Sequence, residues 1–271
     1  MKYSSLMAYC VTIGLLASVA HAQDADQQQN QQQAVQEIMR LGGKVGVYRG
    51  TVLRVLFKDP KATDGALDYL KGFSRLMLLD LGNTRVSDEG LAKLEEFKEL
   101  TSLNLENTQI TDAGLKFLRG LTKLQVLNLE HTQVTDAGLA NLKGMTKLQT
   151  LKLTGTTIGD AGLAQLRPLM KLENLGLGGT HITDAGLVAL KGMTTTLDLG
   201  STHVTDAGLA HLKRLSALEN VDLDHTDISD AGLANLKGLT NVKRVRVDQT
   251  RVTDEGVKML HDTFPNAEIV H

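Results

Sequence analysis

The chain has 271 residues, with 29 Lys and Arg against 31 Asp and Glu and a formal net charge of −2. A balance this even carries no global attraction to polyanions, so no nucleic-acid partner is expected. Cys10 is the only cysteine and Trp is absent, which excludes a disulfide framework and leaves stability to core burial.

The chain opens with "MKYSSLMAYCVTIGLLASVAHAQ". Lys2 precedes an apolar run from Leu6 to Val19, and Ala20-His21-Ala22 supplies the small-x-small pattern of a peptidase site. The run is too short for a permanent bilayer helix and predicts a cleaved signal peptide over residues 1–22. Cys10 does not read as a lipid attachment point, because most of the apolar run follows it. The expected product is secreted or periplasmic, without a membrane span. Residues 23–33 are Gln-rich with little to bury, which predicts a disordered linker. Residues 34–60 read as an amphipathic helix, a Gly-Gly break and a strand. They make an N-terminal cap leading into a degraded first unit, with Pro60 and Ala62 where later units have Thr and Ile.

From residue 61 to 255 the chain repeats itself. "TQITDAGL" at Thr108 returns as "TQVTDAGL" at Thr132, "THITDAGL" at Thr180, "THVTDAGL" at Thr202 and "TDISDAGL" at Thr226. The phrase's Asp falls at residues 64, 88, 112, 136, 160, 184, 206, 230 and 254, a spacing of 24 except for one step of 22. Within a unit, Leu127 and Leu129 lie two apart, as on one face of a strand, and Leu139 and Leu142 lie three apart, as on one face of a helix. Each unit is therefore strand, turn and short helix, and buries enough only by stacking on its neighbours. Residues 256–271 should close the stack, with Pro265-Asn266 turning into a last strand that carries Ile269. With both ends capped, one complete and monomeric solenoid domain is expected.

The unit Leu100-x-x-Leu103-x-Leu105-x-x-Thr108-x-Ile110-Thr111-Asp112-x-Gly114-Leu115 resembles the cysteine-containing, ribonuclease-inhibitor-like class of leucine-rich repeats. Thr stands at the position where that class has Cys or Asn. The resemblance implies a bacterial secreted protein and an α/β leucine-rich repeat solenoid. In such a horseshoe a parallel sheet lines the concave side and short helices the convex side. It also implies a non-catalytic module for protein–protein recognition.

The phrase reads as scaffold. Thr111 or Asp112 is the expected helix N-cap, and Gly114 permits close approach of the next coil. Thr108 and its counterparts should satisfy backbone groups of neighbouring coils. Lys143-Gly144, Lys191-Gly192 and Lys237-Gly238 read as a basic last turn with a glycine stop. A nucleophile or base is needed once per site, and these residues occur once per coil. No catalytic residue, cofactor or metal is therefore assigned. The short unit "KGMTTTLDLG" from Lys191 predicts either a local kink or a deletion absorbed on the convex side.

Function must then use the positions that vary, which form columns on the concave face. One column holds Asp80, Asn104, Asn128, Lys152, Asp198, Asp222 and Arg246; the next holds Glu106, Glu130, Asp224 and Asp248. Two acidic clusters result: Glu106 and Glu130 beside His131, and Asp198, Asp222, Asp224 and Asp248 near His203 and His225, with Arg246 placed to neutralise part of the charge. Clustered carboxylates suit a basic protein or peptide, while Asp beside His also leaves a divalent ion as an alternative. Between the clusters Gly155, Gly176, Gly178, Gly179 and Gly200 leave a bald stretch where a partner would touch backbone. The columns hold no aromatic anchor, which points to a polar or avidity-based contact. On the convex side Lys71, Arg119, Lys143, Arg167, Lys191, Lys213 and Lys237, with Arg75, Lys123, Lys147 and Lys171, make basic rows. These complement helix dipoles, and leave a structural envelope component that binds an anionic surface polymer as the alternative role.

Overall fold

The structure, a computed structural model, describes residues 28–57, 59–190 and 194–271. The signal peptide expected over residues 1–22, and residues 23–27 of the linker, lie outside the described residues.

Residues 28–33, assigned to a disordered linker by composition, are instead the first turns of a helix over residues 28–40. Gln is unbranched and loses little freedom in a helix. Ile38 then anchors the helix in the core at 0% exposure, and the Gln31 amide donates to the Gly72 carbonyl at 3.2 Å. The chain next forms an antiparallel hairpin of β1 (Lys44–Tyr48) and β2 (Thr51–Leu56). The pairing skips Leu53, so the bulge falls in β2 and β1 itself stays regular.

Each later unit adds one three-residue strand: β3 (Leu78–Asp80), β4 (Ser102–Asn104), β5 (Val126–Asn128), β6 (Thr150–Lys152), β7 (Asn174–Gly176), β8 (Thr196–Asp198), β9 (Asn220–Asp222), β10 (Arg244–Arg246) and β11 (Glu268–Val270). All eleven lie in chain order in one sheet that is parallel from β2 onward. The middle residue of each strand turns inward and its two neighbours face the concave side, as the pleat requires. In the unit around β5, Leu121, Leu124, Leu127, Leu129, Val134, Leu139 and Leu142 are all fully buried. Each coil thus contributes one layer of a continuous aliphatic core.

The recurring phrase resolves into a coil-to-coil lock. Thr135 is the N-cap of the short helix Asp136–Leu139, its hydroxyl accepting from the Ala137 N–H. The Asp of the preceding coil reaches forward to it: Asp112 accepts from the Thr135 N–H at 2.8 Å and from the Thr135 hydroxyl at 2.6 Å. The same double bond joins Asp88 to Thr111, Asp160 to Thr183, Asp184 to Thr205 and Asp230 to Thr253, while Asp64 to Ser87 and Asp206 to Ser229 use serine. So Thr is the cap, and Asp is the link to the next coil. The phrase's glycine is where that link passes, since a Cβ on Gly138 would collide with the Asp112 carboxylate.

Two other scaffold expectations are corrected. The Thr108 hydroxyl donates to the Leu105 carbonyl at 2.6 Å, three residues back in its own coil, and does not bridge to a neighbour. It closes the turn after the strand, as do Thr132, Thr156 and Thr226. Gly144 and Gly238 do not adopt the left-handed stop, because each helix ends in a short 3₁₀ turn that leaves the basic residue in ordinary helical geometry. Gly192 lies outside the described residues.

The short unit does not break the sheet. Asn174, Leu175 and Gly176 of β7 pair in register with Thr196, Leu197 and Asp198 of β8. The difference lies on the convex side, where the helix is reduced to a 3₁₀ turn, Gly186–Ala189, followed by an extended Leu190. Leu166, Leu169, Leu172, Leu190 and Thr194 line a small void of about 30 Å³ there.

Candidate functional site

The strand register places Asp80, Asn104, Asn128, Lys152, Gly176, Asp198, Asp222 and Arg246 in one row across the concave face. Their side chains do not stand free. Asp80 accepts from the Gly82 N–H at 3.0 Å and from the Asn104 amide at 2.8 Å. Asn104 and Asn128 in turn accept from the N–H groups of Glu106 and Glu130 at 3.0 and 2.9 Å. The Asp and Asn residues of the row thus fix the backbone two residues on, where the chain leaves its strand.

Glu106 and Glu130, expected as facing like charges, are bridged by one amide. Asn128 Nδ2 donates to Glu106 at 3.3 Å and to Glu130 at 3.0 Å, and Lys152 approaches Glu130 at 3.5 Å. His131 lies over Gly155, where an added Cβ would strike its ring, and no bond joins it to either glutamate among the described contacts. The first cluster is therefore bridged by one amide and partly neutralised by Lys152.

The second cluster gathers around one guanidinium. Arg246 contacts Asp248 at 2.7 Å and Asp222 and Asp224 at 3.3 Å each. His225 Nδ1 lies 3.0 Å from Asp224. Asp198 stands apart from the arginine, accepting from the Gly200 N–H at 2.9 Å. Burial pushes the Asp198 carboxyl above its ordinary value, and the nearby Asp224 charge adds to the rise. Burial also raises Asp222, with Asp224 adding to the effect and Arg246 opposing it. His203 does not join this cluster. It stacks on His181, ring centroids 6.4 Å apart and nearly parallel, at the isolated bridges that follow β7 and β8.

The glycine stretch is roofed rather than bald. A Cβ on Gly178 would come within 2.8 Å of the Asp198 carboxylate, and one on Gly200 would collide with Asp224. Thr154, two residues past β6, reaches Asp198 at 3.5 Å across the coil between them. Gly155 and Gly179 have a different cause. They belong to a column in left-handed geometry, with φ of 69° and 64°, where other coils hold Asn83, Asn107, His131, Ser201, His225 and Gln249. That column looked variable in sequence, yet backbone conformation restricts it.

Sequence reasoning missed the other outward strand position. Thr196, Asn220 and Arg244 stand beside Asp198, Asp222 and Arg246 and with them line an open concave depression of about 400 Å³. The alternation along β8, β9 and β10 was enough to find them, since residues two apart share a face. The depression presents carboxylates, an amide, a hydroxyl and two guanidinium groups, and so accepts and donates hydrogen bonds side by side. Among the described residues no group of three or more His, Cys, Asp or Glu is placed to hold a metal ion.

Two members of the convex basic rows face acids: Lys123 pairs with Glu99 at 2.6 Å and Lys71 with Asp68 at 3.1 Å. Arg119 donates to Asn141 at 2.6 Å in the adjoining coil. Among the described residues no helix is long and apolar enough to cross a membrane.

A leucine rich repeat family model matches residues 98–158, the stretch in which the phrase is most regular. The chain folds as a leucine-rich repeat solenoid. It is similar to the solved internalin InlF of Listeria monocytogenes, with 25% identity and a TM-score of 0.62, over 74% of this chain and 56% of that one. It is also similar to internalin InlC2 of the same organism, with 29% identity and a TM-score of 0.59, over 78% of this chain and 84% of that one. The chain thus spans little more than half the length of InlF. No curated protein matches it.

Proposed function

We propose that this solenoid is a non-catalytic recognition module, exported from the cytoplasm, whose concave face takes a protein or peptide partner. The principal contact is the depression between β8 and β10, where Asp198, Asp222, Asp224 and Asp248 meet a basic segment and Arg244 and Arg246 orient it. One observation carries this reading. The hydroxyls, carboxylates and glycines of the phrase are consumed in locking coil to coil, while the concave depression keeps mixed polar chemistry open to solvent. Likeness to two internalins supports the class of module.

The alternative, an envelope component that binds an anionic polymer through its convex side, is less favoured. Lys71 and Lys123 of those rows already face acids along or across the coils. Affinity capture from a cell-envelope extract, with the exported chain immobilised, tests the choice. One stoichiometric protein partner, released by moderate salt as steered charged contacts require, is the expected result. Sedimentation with wall polymer and no protein partner contradicts it.

A further inference from the structure

The N-terminal edge of the sheet presents a second surface, independent of the concave face. β1 is the outermost strand, and among the described residues nothing pairs with its free side. The three most exposed large apolar side chains described all lie at this end: Met39 at 62%, Tyr48 at 60% and Val47 at 57%. Beside them a groove of about 500 Å³ runs between the helix over residues 28–40 and the hairpin, lined by Val35, Val47 and Val52 among glutamines. Edge strands are ordinarily blunted by a bulge or by a charge along the strand. Here the bulge sits in β2, and β1 carries its one charge at its first residue.

We infer that β1 is the seam of a two-fold dimer of this chain, each copy's β1 pairing antiparallel with the other about Gly46. The sequence Lys44-Val45-Gly46-Val47-Tyr48 is complementary to itself in this register. Gly46 meets Gly46, Val45 meets Val47, and Lys44 meets Tyr48. Val45 and Val47 pair with the core-side residues Val55 and Val52, so both valine contacts fall on the side of the apolar groove. Lys44 and Tyr48 fall on the concave side, where an ammonium over a phenol ring is favourable. No like charges face each other, and the glycines let the backbones approach at the axis. Centring instead on Val47 would press Arg49 against Val45 on the apolar side. The contact is isologous and closes at two copies. Head-to-tail joining of β1 to β11 would be open-ended, and β11 offers only three residues, led by an exposed Glu268. The expectation of a monomer came from reading the cap as a finished end; the cap covers the core but leaves the strand edge open.

Sedimentation equilibrium of the purified exported chain, from which the expected cleavage after Ala22 has already removed Cys10, tests this. The expected result is a discrete two-chain mass that becomes a single-chain mass in Val47→Lys, which still melts cooperatively because Val47 is exposed in the single chain. Register is read separately by mixing Lys44→Cys chains with Tyr48→Cys chains. Oxidation should link the two variants to each other and neither to itself. A single-chain wild type, a dimer that survives Val47→Lys, open-ended growth, or self-linking of either variant overturns the proposal.

Discussion

The Asp198 carboxylate leans over Gly178 to within 3.5 Å of the Thr154 hydroxyl, two coils away. This places the acid in a half-buried site with Gly178 beneath it, and burial raises its affinity for a proton. Gly178→Ala should push Asp198 out into water and lower its pKa towards the ordinary carboxylate value. Carboxyl-carbon NMR titration of the two proteins reads the shift directly; an unmoved Asp198 titration would show that the glycine does not set its position.

The same residue gives a pH dependence. A carboxyl raised in the folded state makes that state bind more protons than the unfolded chain between the two pKa values, so its contribution weakens stability as pH climbs through that window. Asp198→Asn keeps an acceptor for the Gly200 N–H and removes the buried charge. The variant should gain stability over wild type as pH rises above the ordinary carboxylate range, with no gain in strong acid. Denaturant melts across pH check it, and a gain of equal size at every pH would refute the burial account.

Gly159 stands where neighbouring coils hold Thr or Ser, and Asp136 therefore makes only the bond to the Gly159 N–H at 2.7 Å. Its φ of −122° is extended and a Cβ would meet nothing closer than 3.6 Å, so a side chain fits. Gly159→Thr supplies the missing hydroxyl bond and cap for about 1 kcal/mol. That raises the melting temperature by roughly 2–4 °C in a domain of this size.

Gly138→Ala pits two effects against each other. Helix propensity favours Ala by up to about 1 kcal/mol. The new methyl, however, dislodges Asp112 from its two bonds to Thr135, at a cost of about 1–3 kcal/mol. Net destabilisation is expected by thermal melting, and Gly138→Ala made on an Asp112→Ala background should lose that cost. An equal penalty on both backgrounds would break the proposed lock.

Much of this fold was legible because periodicity is additive: Leu103, Leu105, Ile110 and Leu115 report the same geometry in every coil, so one misread unit is outvoted. The partners within the phrase were harder. Asp112 next to Thr111 looks like a local cap, and only three dimensions show that the acid serves Thr135, 23 residues on. The glycines misled for the same reason. Gly178 and Gly200 appear empty in a column, yet the acids of following coils, Asp198 and Asp224, fold over them. Alignment of the coils brought Asp222, Asp224 and Asp248 to Arg246, which contacts all three. Column arithmetic gives height along the sheet but not the direction a ring turns, and the His203 ring stacks on His181. Residues 28–33 were misjudged because composition describes an isolated segment, whereas Ile38 ties that helix to the core.

The central claim, that scaffold residues lock the coils while the depression between β8 and β10 recognises the partner, has one direct measurement. Binding of the captured partner is compared for Asp222→Asn/Asp224→Asn/Asp248→Asn and for Lys123→Gln/Lys147→Gln/Lys171→Gln, with melting temperature as the control. A loss of ten-fold or more in the first set, about 1.4 kcal/mol, with the second set near wild type, is the predicted result. Retained binding in the concave set and lost binding in the convex set, with both folded, would contradict it.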